Sequence, residues 1–449
     1  MNCKRPNVVF VFADQMRAQA TGYAGNRDVR TPNLDRLAGE SVNFVNAVSG
    51  TPVCSPYRAS LLTGQRPLTH GVIINDVSLS DRAVSLAEAF RAGGYDTGYI
   101  GKWHVDGQSG RKGYIPPERR QGFEHWQVLE CTHDYNHSLY YENDSKETKV
   151  WEDYDAIAQA RSAAKFIRDR ADGDDPFLLM LSWGPPHNPF QTAPQRYCDL
   201  FDPAAIHLRP NVPDEAAEGA RNDLAGYYAH IAALDDCLGE LLGELEQAGV
   251  ADNTIFVFTS DHGDMLGSHN LQRKQKPYDE SIRVPFLLRW PGGEGVTPSR
   301  TEHLIDGPDI MPTLLSLAGL EIPETVEGRD LSAAVRGELV ADDEHALLQC
   351  IVPFGEFKRR SGGREYRGLR TLRHTYVVDL RGPWLLFDNE TDPYQLRNLV
   401  DEPASAGVRD ELHALLTRRL KETGDAFEPA ETYIERWGWP VDEDLSIPI

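Results

Sequence analysis

“TIFVFTSDH”, residues 254–262, is a run of β-branched and aromatic residues that closes on an acid and an imidazole. A strand buried on both faces reads this way, as an apolar run without polar alternation. Ahead of it, residues 220–248 place Leu224, Tyr227, Ile231, Leu234, Leu238, Leu241 and Leu245 on one helical face. Working outward, the pairing recurs. Residues 154–170 carry Ile157, Ala160, Ala164 and Ile167 at helical spacing and lead into “FLLMLSW” at 177–183. “SLAEAFRAGG” at 85–94 is a helix stopped by glycine ahead of “DTGYIGKWH”, and “VVFVF” at 8–12 opens the series. Strands alternating with crossover helices predict an α/β fold: a large, mainly parallel sheet sandwiched by helices.

After about residue 335 the pattern changes. “RGLRTLRHTYVVDL” and “PWLLFD” read as antiparallel strands, and 408–420 as a closing amphipathic helix. The expected division is a catalytic domain over 1–335 and a smaller α+β subdomain over 336–449. A chain of 449 residues is long enough for both. Its net charge of −23 argues against nucleic-acid or anionic-membrane partners, so any anion site must be a local basic exception. Cys3, Cys54, Cys131, Cys198, Cys237 and Cys350 form no CxxC pair, which speaks against a zinc ribbon or a disulfide scaffold. No signal-peptide layout opens the chain. As it stands it reads as cytoplasmic, or as periplasmic or secreted if a signal segment has been removed. Nothing in the pattern sets an oligomeric state.

The unusual polar residues follow the strands. Asp14 and Gln15 come after the first, Lys102 and His104 after “TGYIG”, His187 after “FLLMLSWGPP”, and Asp261 and His262 after “TIFVFTS”. Singly, such an Asp is often a helix cap and such a His structural. Together they matter, because ligands of open parallel sheets bind beyond the carboxyl ends of the strands. Asp14, Gln15, Asp261 and His262 offer three oxygen donors and an imidazole, a set suited to a divalent cation. Lys102, His104, His187, Arg58 and Lys274 would surround a tetrahedral oxyanion, as phosphoryl or sulfuryl transfer requires. The remaining need is a nucleophile. Cys54, in “TPVCSPYRASLLTG” at 51–64, has polar neighbours ahead of a helical run, and that setting reads as presentation of the side chain.

“CSPYR” at 54–58 resembles the C-x-P-x-R signature of the sulfatase family, within the alkaline-phosphatase superfamily. The resemblance continues through “ASLLTGQRP”, “GYIGKWH”, “PPHNPF”, “SDHGDMLGSHNL”, “KPYDESIRVPF” and “DPYQLRNL”, in the family's order and across essentially the whole chain. It implies that a formylglycine-generating enzyme oxidises Cys54 to Cα-formylglycine, whose hydrate attacks sulfur and then collapses to release sulfate. It also implies metal binding by Asp14, Gln15, Asp261 and His262 with the Cys54-derived diol. Arg58 and His104 would hold that diol, Lys102 and Lys274 would bind sulfate, and His187 would serve as general acid.

Two departures bear on the metal. Many relatives carry a second Asp at the position of Gln15 and an Asn at that of His262. Calcium is the family default, and the added imidazole brings manganese or magnesium into consideration. The implied activity is hydrolysis of a sulfuric ester, on a sulfated carbohydrate. The alternatives are a phosphonate monoester or phosphodiester hydrolase of the same superfamily, a non-catalytic glycan-binding relative, and a cysteine hydrolase that would leave the metal-type ligands idle. The polar segment 105–153 holds Trp126, Trp151, His133 and His137, and Trp103 and Trp183 flank the core strands. Such rings stack on sugars or fill a core, and the sequence leaves both readings open.

Overall fold

The computed structural model describes residues 5–338 and 345–448; Cys3 lies outside them. The large sheet is built from β1 (Asn7–Asp14), β2 (Val42–Ala47), β3 (Asp96–Lys102), β4 (His125–Leu129), β5 (Leu139–Glu142), β6 (Thr148–Val150), β7 (Phe177–Pro186), β8 (Thr254–Ser260), β9 (Phe286–Arg289) and β10 (Ser299–Ile305). Their order is β10-β2-β9-β8-β1-β7-β3-β4-β5-β6. Only β9 and β5 run against the rest. The mainly parallel sheet expected from the sequence is present.

The apolar run of β1 explains why it sits near the middle. Val8, Phe10 and Phe12 enter the core on one face, and Val9, Val11 and Ala13 enter the core on the other. The helices Asp155–Arg170 and Ala217–Gln247 cover the second face. The helices Cys54–Thr63, Leu86–Ala92 and Gly307–Leu317 cover the first. Close spacing of β3 and β7 depends on Gly101. Its φ is +106°, and a Cβ there would stand 2.0 Å from the Ser182 carbonyl oxygen. No other residue fits.

The segment 105–153, read as long and polar, instead extends the sheet through β4, β5 and β6. Its tryptophans, and the two that flank the core strands, do not line an open surface, whereas His137 is exposed. Trp126, Trp103 and Trp183 are fully buried, and Trp151 stacks on Tyr140 at 3.9 Å. Core packing is the reading that holds for them.

The second sheet contains β11 (His345–Cys350), β12 (Tyr366–Thr371), β13 (His374–Asp379) and β14 (Gly382–Asp388), antiparallel in that order. The helix Ala406–Glu422 closes it with Leu412 and Leu416. A last helix, Ala430–Trp437, turns back and sets Ala430, Tyr433 and Ile434 into the core of the large sheet. The tail is thus shared between the two cores. One buried ion pair ties the sheets: Arg370 on β12 donates to both carboxylate oxygens of Asp279, at 3.0 and 3.2 Å. Asp279→Ala leaves that guanidinium buried and unpaired. The expected loss is about 3–5 kcal/mol of stability in urea denaturation; a change near zero would show that Arg370 finds another partner.

Candidate active site

β8, β1, β7 and β3 are consecutive neighbours, so their carboxyl ends bring Asp261, Asp14, His187 and Lys102 to one crevice. The chain leaves β1 and β3 through residues held at positive φ, Gln15 at 73° and His104 at 61°. Such conformations in non-glycine residues cost about 1–3 kcal/mol each and persist where surroundings over-determine them. Two cis peptide bonds, Pro185–Pro186 and Asn188–Pro189, flank His187.

Cys54 is the first residue of its helix and only 1% exposed. This corrects the expectation of a presented side chain. The polar residues around it, Thr51, Ser55 and Arg58, are buried as well, and Arg58 reaches into the crevice. Its Sγ lies 3.2 Å from His262 Nε2, 3.7 Å from Asp14 Oδ1 and 4.0 Å from Lys102 Nζ. Burial and Asp14 would raise the thiol pKa, but Lys102, Lys274 and His262 bring it well below the ordinary value. The helix N-terminus favours a negative charge at the same atom.

The donor set fits a divalent cation. Ligand atoms of Asp14, Cys54, Asp261 and His262 all lie within 4.8 Å of one another, and all four residues are buried. The imidazole is oriented for ligation: Nδ1 contacts the Gly263 carbonyl at 3.0 Å, which places the proton there and turns the Nε2 lone pair inward. The carboxylates lack full compensation. Burial and Asp14 push Asp261 above the usual carboxylate range. Burial acts the same way on Asp14, yet Lys102, with Arg58 behind it, holds it well below. Gln15 is placed beside the group, its amide NH donating to Asp261 Oδ1 at 3.0 Å. Its side chain is clamped by Asp264 on Nε2, at 2.6 Å, and by Lys274 on Oε1, at 2.6 Å.

The cations divide into supports and free donors. Arg58 Nη2 bridges Asp14 and Asp261 at 3.2 and 3.1 Å, and Nη1 donates to the Lys102 carbonyl and Ser182 Oγ, both at 2.8 Å. It holds the carboxylates together from behind. Lys102 Nζ lies 2.6 Å from Asp14 Oδ2. Lys274 Nζ reaches His187 Nε2 at 2.7 Å, while His187 Nδ1 contacts the Asn188 carbonyl at 2.9 Å. Burial and Lys274 keep His187 well below the ordinary histidine pKa, so it stands neutral with Nε2 accepting.

Several partners escaped the sequence reading. His104 Nε2 rests on Asp76 at 3.2 Å, and Arg111 grips both oxygens of Asp76 at 2.9 Å. His104 Nδ1 is buried without a hydrogen-bond partner. Burial would depress this imidazole, yet Cys131, Asp76 and Cys54 raise it to about 10. It is therefore a cationic donor with one N–H unspent. His133 stacks on His187, ring centroids 4.5 Å apart. Asp76 and Arg111 lie 35 positions apart in unrelated loops, and only the “ND” at 75–76, within a Gly-Val-Ile-Ile turn, could have drawn attention.

Known proteins resemble this chain over most of its length. The family model described as Sulfatase matches residues 6–320, and that described as N-sulphoglucosamine sulphohydrolase, C-terminal, matches 267–422. The chain is 44% identical to a protein of Formosa agariphila named “Ulvan-active sulfatase”, over 97% of this chain and 85% of that one. The crystal structure of the putative sulfatase yidJ from Bacteroides fragilis superposes with a TM-score of 0.85 at 32% identity, covering 97% of this chain and 98% of the other. The phosphonate monoester hydrolase of Agrobacterium radiobacter gives a TM-score of 0.76 at 27% identity, covering 93% and 96%.

Asp76 makes a sharp test of the site's organisation. Asp76→Asn keeps the shape but removes the charge that orients and protonates His104. Activity should fall about 10–100-fold, as for other outer-layer partners of active-site histidines. The fall should appear in kcat, with the melting temperature nearly unchanged. A wild-type rate would show that His104 needs no such support.

Proposed function

Because this chain belongs to the sulfatase family and is a sulfuric-ester hydrolase, we propose that it releases inorganic sulfate from a sulfated saccharide at a nucleophile derived from Cys54. One observation carries the reading: the Cys54 side chain lies between a buried acidic pair, Asp14 and Asp261, and the cations Lys102 and His104. The saccharide class follows the Formosa agariphila relative, which is named for activity on ulvan. The phosphonate hydrolase is a less similar neighbour than the sulfatase yidJ.

Formylglycine at position 54 would supply a hydrated aldehyde, which offers a nucleophilic oxygen and a second oxygen for product release. A divalent cation, calcium by family habit, would neutralise charge on that oxygen and on the sulfate, held by Asp14, Gln15, Asp261 and His262. The chain's own residues do the rest. The unspent Nδ1–H of His104 holds the nucleophile. Lys102 and Lys274 bind sulfate oxygens, and Lys274 leaves its contact with His187 to do so. Once Lys274 has turned to the sulfate, His187 Nε2 is free to take up a proton and to deliver it to the departing sugar oxygen, with the imidazole fixed by Asn188. Since Cys54 is 1% exposed, a formylglycine-generating enzyme would act before the helix Cys54–Thr63 settles into its site.

Co-expression with a formylglycine-generating enzyme should convert the Cys54 thiol to an aldehyde, detected by mass spectrometry of its peptide. Cys54→Ala should then abolish sulfate release without loss of folding. Full activity in that variant would sink the nucleophile assignment.

Leaving groups provide a second measurement. His187→Ala should cost about 10²–10⁴-fold on a sugar sulfate and far less on an aryl sulfate, whose phenolate needs little protonation. On fully converted protein, kcat/KM for a sugar sulfate should exceed that for a phosphonate monoester or phosphodiester. The reverse order would give the case to phosphorus chemistry.

A further inference from the structure

The segment after Lys274 holds a second lysine that the reaction does not use. Lys276 is 8% exposed, and its ammonium lies 4.9 Å from the centroid of the Phe357 ring. Among the described residues the ammonium has neither a hydrogen-bond acceptor nor a carboxylate partner. The cations around it are all engaged. Arg273 pairs with Asp264 and Glu356, Arg364 with Asp379 at 2.8 Å, and Lys358 with Asp444 at 2.8 Å. Arg359 pairs with Glu365 and Glu431, and Arg360 with Asp444. In a chain of net charge −23, a buried cation left without a carboxylate is out of keeping. Holding such a charge largely out of water is unfavourable unless an anion meets it.

Its position says where that anion would come from. Lys276 is two residues beyond Lys274, so its Cα lies no more than about 7 Å from that of the sulfate-binding lysine. Between them, the Gln275 amide donates to the Pro52 carbonyl at 3.1 Å, just before Cys54, and its Oε1 lies 3.8 Å from Cys350 Sγ on β11. Lys276 therefore sits at the seam of the two sheets, beside the start of the nucleophile's helix. Its neighbours include two neutral groups, Phe357 and Cys350, whose thiol burial pushes up to about 12, and the Arg364 guanidinium, itself engaged by Asp379. Burial, with Arg364 near, holds Lys276 itself below the ordinary lysine value, as expected of a cation awaiting a counter-ion.

We propose that Lys276 forms a second anion subsite, which binds a carboxylate or a further sulfate carried by the substrate next to the ester that is cleaved. This rests on the sulfatase reading above and narrows it to substrates with at least two anionic groups. The test uses holoenzyme with Cys54 converted and four probes. These are 4-nitrophenyl sulfate, a sulfated disaccharide with a neighbouring uronate, the same disaccharide with that carboxyl reduced to an alcohol, and a disulfated analogue of the reduced form. Wild-type kcat/KM should be about tenfold or more higher for the uronate or the disulfate than for the reduced monosulfate, in line with a desolvated charge pair. Whichever probe is preferred identifies the anion. Lys276→Met should collapse that ratio, with its loss on 4-nitrophenyl sulfate much smaller, whereas Lys276→Arg should keep it. Parity among the three disaccharides in the wild type overturns the proposal, and this comparison stands even if Lys276→Met fails to fold. An equal loss on all probes in Lys276→Met also overturns it. Absence of sulfate release from all four probes would instead be a failure of the sulfatase reading.

Discussion

The Arg58 guanidinium, shared between Asp14 and Asp261, is the contact on which the site depends. It spans three elements at once: the end of β1, the end of β8 and the first helical turns after Cys54. Two carboxylates buried together repel, and a low-dielectric crevice magnifies the repulsion. Arg58 offsets it with planar, forked donors, and its ring-like cation lies 4.9 Å from the Phe12 centroid. Lysine could not bridge both carboxylates and also reach Ser182 and the Lys102 carbonyl. Because Arg58 is one helical turn beyond Cys54, satisfying the carboxylates also places the sulfur. The position of Cys54 and the position of the two carboxylates are therefore one constraint.

That constraint explains how an acidic protein handles an anion. The overall field of a −23 chain opposes a sulfate, so attraction must be local and largely screened from the rest. Burial supplies the screening. Lys102, Lys274, Arg58 and His104 are each at most 8% exposed, and each is held by a named partner. Their charges are thus pre-oriented and need little reorganisation when negative charge develops on the substrate, the condition under which electrostatic catalysis is strongest.

How much of this the sequence disclosed follows from how local each signal is. β1, β7 and β8 were legible because strands covered on both faces have no polar positions to blur them, and the acids and imidazoles at their ends stood out against that background. Asp14, Lys102, His187 and Asp261 could be gathered by the general rule for parallel sheets. Cys54 was legible as a chemical residue but misread as exposed: Thr51, Ser55 and Arg58 look like a solvated turn until the crevice that absorbs their polarity is known. β4, β5 and β6 were missed because they are short, with polar residues such as Gln127, Glu142 and Lys149 among them, and read as loop. Asp76 and Arg111 left almost no signal. Their pairing with His104 is purely tertiary.

The second sheet is also part of the active site, through the stretch from Arg273 to Asp279. Arg273 and Gln275 both adopt positive φ, at 61°, a conformation that non-glycine residues take only at a cost. The strain lets successive side chains of one short segment serve different structures. Lys274 turns to Gln15 and His187, Gln275 to Cys350, Lys276 to Phe357, and Asp279 to Arg370. Three of these anchors belong to the C-terminal half of the chain, and one belongs to the catalytic crevice. A displacement of the small sheet would therefore be felt at Lys274, since the two residues that follow it both contact that half of the chain. The small sheet thus does more than close the C-terminal end: it helps to fix Lys274 in its contacts with Gln15 and His187.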